Sequence, residues 1–61
     1  MEIKDGSITH EGKEIGTANW GYKYGYHPAI LVTIGKKMEW FESDELNLIK
    51  KIKEFATEAI K

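Results

Sequence analysis

Sixty-one residues with a formal net charge of −1 and no cysteine make one domain, too short for a large core and without a disulfide or thiolate metal site to staple it. All nine basic residues are lysine, and the missing arginine fork argues against base-specific nucleic-acid recognition. The longest apolar run, Ala29-Ile30-Leu31-Val32, is far short of a membrane span, and Met1-Glu2-Ile3-Lys4-Asp5 is charged where a secretory leader is apolar. The chain is therefore expected to be soluble and cytoplasmic. Chains of this size hold together by tight packing or by burying surface against a partner chain, so a homodimer is expected.

All six glycines and the only proline fall within the first 42 residues. That break divides the single domain, residues 1–61, into a β-rich part over 1–42 and a C-terminal helix over about 43–60. Two turn signals open the chain, Asp5-Gly6 and Glu11-Gly12. If both are two-residue turns, Ile3 faces Ile8 and Ile8 faces Ile15, aligning three isoleucines on one face. Gly16 is expected to end or bulge the third strand.

The next segment is the most unusual. Four of the seven aromatic residues, Trp20, Tyr22, Tyr24 and Tyr26, lie within seven positions at a spacing of two. On an extended strand all four rings would share one face. They are either a large share of the core or a contact surface. Gly21 and Gly25 weaken a regular strand and suggest a bulge or loop. Tyrosine, tryptophan, histidine and glycine together also resemble the composition of a contact loop.

Ala29 to Ile34 alternates Ile30, Val32 and Ile34 against Ala29, Leu31 and Thr33, as a central strand does. Pro28 sets its start. A three-residue loop, Gly35-Lys36-Lys37, would pair Ile34 with Met38 and Val32 with Trp40. Ser43 reads as the helix N-cap, with Asp44 and Glu45 in the first turn. Leu48, Ile49, Ile52, Phe55, Ala56, Ala59 and Ile60 fall in one arc at 100° per residue. The expected fold is α+β: an antiparallel meander of four to five short strands with one C-terminal helix packed on one face. The helix should cover Ile30, Val32, Ile34, Met38 and Trp40, leaving Leu31 and Phe41 on the open face.

No catalytic set assembles. Ser7 and Ser43 are the only serines, one beside a turn and one a cap, and His10 and His27 lack an evident nucleophile to serve. Two histidines without cysteine make a poor metal site. The carboxylates Glu42, Asp44 and Glu45 sit where a helix start attracts negative charge. No enzyme activity, small-molecule substrate, cofactor or metal is expected. The expected function is a small protein-binding module, self-associating or acting as an inhibitor or accessory subunit of a larger protein. Its contact residues would be Trp20, Tyr22, Lys23, Tyr24 and Tyr26, with Leu31 and Phe41 as additions. The alternative is single-stranded nucleic-acid binding, with bases stacked on Trp20 and the tyrosines and with Lys23, Lys36 and Lys37 on the backbone.

Overall fold

Each of the two N-terminal turn signals reverses the chain. Asp5-Gly6 (φ 50° and 82°) and Glu11-Gly12 (φ 54° and 79°) both adopt the left-handed backbone that two-residue hairpins require. In the computed structural model, which describes all 61 residues, five strands form one antiparallel sheet in sequential order. They are β1 (Glu2–Lys4), β2 (Ser7–His10), β3 (Lys13–Lys23), β4 (His27–Ile34) and β5 (Lys37–Glu42), and α1 (Leu48–Ala59) follows. The α+β meander with a C-terminal helix is as the sequence predicts, except that β3, with 11 residues, is not short.

Ile3 pairs with Ile8 as expected, but Ile8 pairs with Gly16 rather than with Ile15. The β2–β3 ladder shifts after Ile8, so Ile15 is the extra residue of a bulge. It still packs against the edge of the core. The shift has a long reach, because one added residue exchanges the two faces of everything that follows on β3. Ala18, Trp20 and Tyr22 take the helix side, and Thr17, Asn19 and Gly21 take the other. Gly16 lies where β3 has no room for a side chain against β4. A Cβ there would press on the Thr33 carbonyl and the Ile34 side chain, which explains why this strand position has no side chain.

The second register correction is at the β4–β5 turn. Ile34 pairs with Lys37, Val32 with Glu39, Leu31 with Trp40 and Ile30 with Phe41. The loop is thus two residues, Gly35-Lys36, not three. With Gly35 at φ 60° in the first position, it follows the hairpin pattern that wants glycine first. Met38 and Trp40 therefore lie on the open face with Leu31, and Phe41 turns to the helix. The core is Ile8, Val32, Ile34 and Phe41 from the sheet against Ile52 and Ala56 from the helix. Phe41 and Phe55 meet edge to face, with centroids 5.9 Å apart and planes at 65°.

The helix begins later than predicted. Glu45 N–H donates to the Glu42 carbonyl in a turn, and Asn47 (φ 59°) is the N-cap without a side-chain cap bond. Ser43 is not the cap, and Asp44 and Glu45 lie outside the first helical turn. Residues 43–47 lift the chain from the sheet plane to the helix layer, roughly 10 Å away as packed layers stand. Asparagine is among the few residues that tolerate the left-handed reversal this needs. Glu45 instead accepts from Lys51 Nζ at 2.6 Å, tying the connection to the helix. The predicted stripe packs inward at Leu48, Ile52, Phe55, Ala56 and Ala59, with Ile49 and Ile60 at its margins. No helix is long and apolar enough to cross a membrane.

Gly16→Ala should lower the unfolding free energy by about 2–3 kcal/mol, since a methyl is driven into backbone rather than into a movable side chain. The midpoint of urea denaturation measures this. A loss within a few tenths of a kcal/mol would mean that β3 and β4 are not in this close contact.

Candidate interaction surface

The two neighbours of β3 do not run equally far along it. β4 pairs with it from Gly16 to Lys23, whereas β2 pairs with it only from Lys13 to Thr17. The last hydrogen bond on the β2 side is from Ala18 N–H, which donates to the Gly6 carbonyl at 2.8 Å, and Gly6 also stands against the Asn19 side chain. From Asn19 to Lys23 the strand has a partner on one side only. Main-chain groups alternate sides along a strand. Since those of Ala18 point away from β4, those of Trp20 and Tyr22 do too. Of these, the Tyr22 carbonyl accepts from Gly25 N–H at 3.1 Å.

The same five residues carry half of the aromatic run. Trp20 shares a cross-strand row with Ile30 and Phe41, and Tyr22 pairs with Pro28. Phe41, at the β5 end of that row, is buried under Phe55. Trp20, at the β3 end, is 70% exposed and Tyr22 is 66% exposed. The expectation that Phe41 joins the contact surface is therefore wrong: the two-residue β4–β5 turn points it into the core. Leu31 does lie on the open face, half-buried beside Trp40.

Tyr24 and Tyr26 are not on the strand. Tyr24 (φ 59°) and Gly25 (φ 83°) turn the chain, and Tyr26 completes the loop into β4. Both rings are more than three-quarters exposed, with centroids 6.4 Å apart. Lys23 Nζ stands 5.3 Å from the Tyr24 centroid, within cation–π range. So the four rings do not form one strand face. Two stand on the uncovered end of β3 and two at the hairpin tip, and all four are exposed.

Gly21, expected to weaken the strand, has a packing role. On the open face, Trp40 reaches back across β4 until a Cβ at Gly21 would sit 3.0 Å from its Cη2. Ala29, the β4 partner of Gly21, is fully buried although no helix covers that face. Trp40 thus acts as a second, one-residue layer. At this end of the open face His27 Nε2 donates to Glu42 Oε2 at 2.6 Å. This bond, aided by the charges of His27 and Lys23, holds the Glu42 carboxyl below its ordinary range. Both side chains are about half exposed.

Other groups fall elsewhere. Lys36 and Lys37 are at the β4–β5 turn, the far end of β4 from the aromatic tip, which is roughly 24 Å along an eight-residue strand. The one surface depression is lined by Ile49, Lys50, Lys53, Glu54, Thr57 and Glu58 of a single helix, so no two elements close around it. Leu46, 82% exposed just before the helix, is an apolar residue that the sequence pattern does not single out. Its one signal was that it falls outside the helical stripe. The free β3 edge was also missed, because an edge depends on where a neighbouring strand stops.

His27→Ala should raise the Glu42 titration midpoint most of the way to an ordinary glutamate's. NMR titration of the Glu42 side-chain carboxyl measures it, and an unmoved midpoint would rule out His27 as the cause. A carboxyl with a depressed folded value contributes stability above the ordinary range, and that contribution is lost as pH falls through the folded value.

Compared with protein-family models, with curated proteins and with solved structures, the chain has no match.

Proposed function

We propose that this protein is a small non-enzymatic protein-binding module that associates with itself through the distal end of the β3–β4 hairpin. The observation that carries the reading is the exposure of Trp20, Tyr22, Tyr24 and Tyr26, at 66–78% each. At roughly 200 Å² per ring, they present on the order of 550 Å² of contact surface. That equals the largest apolar patch of a typical monomer, and it is about two-thirds of what one partner supplies to a standard interface. Rigid aromatic rings make strong anchors at low entropic cost. Lys23 would stand at the rim, and Leu31 with Met38 at the margin of the open face. The same surface, on a chain of this size, suits an inhibitory or accessory subunit of a larger protein.

Two observations weigh against other classes. The Ser7 hydroxyl donates to Glu14 at 2.7 Å rather than to a histidine, and the His27–Glu42 pair is about half exposed on the sheet face away from the helix. Base stacking on the same rings would need cations nearby for the phosphates. Lys23 is close, but Lys36 and Lys37 are at the other end of β4.

Sedimentation equilibrium over a wide concentration range tests the reading. The expected result is an apparent mass rising from 7.0 kDa toward twice that value. Trp20→Ala removes an anchor from both protomers and should weaken the dimer on the order of 1,000-fold, as truncation of each aromatic anchor costs roughly 2 kcal/mol. A mass fixed at that of the monomer, with no change on mutation, would overturn self-association.

A further inference from the structure

We infer that two copies of this chain join edge to edge, with Asn19–Lys23 of β3 pairing antiparallel to the same segment of the second copy about a two-fold axis at Gly21. This rests on the self-association proposed above and specifies its geometry. Three observations carry it.

The first is which strand edge is left unguarded. Edge strands avoid open-ended pairing through short length and charge. β1 is three residues long and reads Glu2-Ile3-Lys4. β5 carries Lys37, Glu39 and Glu42. The free segment of β3 is without charge from Asn19 to Tyr22, and its one charged residue, Lys23, stands at its end. It is the least charged edge of this sheet, and it carries the exposed rings of Trp20 and Tyr22.

The second is that one self-complementary register is open. Pairing about Gly21 aligns Trp20 N–H and C=O with the C=O and N–H of the partner's Tyr22, and the reverse. The Tyr22 carbonyl, already bonded to Gly25, keeps a second lone pair for this. A register centred on Trp20 would require Ala18 N–H, which is committed to the Gly6 carbonyl. One centred on Tyr22 would require Tyr24 to be extended, but Tyr24 turns with φ 59°.

The third is fit. β2 stops at the level of Thr17 and its turn ends with Gly6 beside Ala18 and the Asn19 side chain, which leaves a notch from Trp20 onward, and the projecting hairpin arm that enters it carries those same residues. The two-fold axis sets each arm in the other's notch and each Trp20 beside the partner's Tyr22 on the helix side. Such cross-strand aromatic pairs are a main source of sheet stability.

The chain has no cysteine, so paired cysteine variants report this register directly. Asn19 and the partner's Lys23 would stand directly opposite, within disulfide reach, whereas like positions would be about 14 Å apart. Mild oxidation of an equimolar mixture of Asn19→Cys and Lys23→Cys should give on the order of tenfold more linked dimer than either variant alone, as only unlike positions meet the disulfide distance limit. Sedimentation of the unlinked protein accompanies it. A concentration-dependent dimer without preferential 19–23 linkage overturns the edge pairing and leaves self-association standing. A monomer at every concentration overturns both.

Discussion

Twelve helical residues span about 18 Å, while β3 alone, with eleven, runs to about 36 Å. One helix therefore cannot cover this sheet. It lies on β4 and β5, where Ile52 and Ala56 close the core over Val32, Ile34 and Phe41. The rest of the molecule adjusts to that shortfall. The near half of β3 is flanked at its other edge by the small β1–β2 hairpin, whose Ile8 is fully buried. The far half receives neither helix nor hairpin. The molecule's longest dimension, 34 Å, is about the length of that one strand.

Two local devices decide what stands on the uncovered arm. The bulge at Ile15 exchanges the faces of β3, so that Trp20 and Tyr22 stand on the helix side but beyond the helix. The two-residue Gly35-Lys36 turn exchanges the faces of β5, which sends Phe41 into the core and Trp40 to the open face. Trp40 then covers Gly21 and Ala29, stiffening the arm from the side away from the rings. The aromatic surface thus has a packed support, even though its own rings bury little.

The elements themselves were legible in the chain. Asp5-Gly6 and Glu11-Gly12 require a backbone that few other pairs adopt, and the β4 alternation and helical stripe have periods that admit one reading each. The errors share one origin. Ile8 against Ile15, Met38 and Trp40 in the core, and Phe41 on the surface each follow from a register off by one residue. The apolar pattern could not arbitrate, because β5 is apolar at Met38 and Trp40 on one face and at Phe41 on the other. The helix start failed differently: Ser43-Asp44-Glu45 is a sound cap motif, displaced because the chain must first climb from sheet to helix.

For the candidate surface, the sequence alone determined which residues are chemically suited to contact: a run of large rings broken by glycines in a chain too small to bury them all. Local backbone preference is enough for that, since it acts over a few neighbouring residues. Tertiary structure decided what those rings face. Whether a ring is covered depends on where a helix ends, and whether a strand edge is free depends on where its neighbour stops pairing. Both are set by register and layer length across the whole chain. Trp20 and Phe41 lie in one cross-strand row, one exposed and one buried, and only the position of α1 above that row separates them.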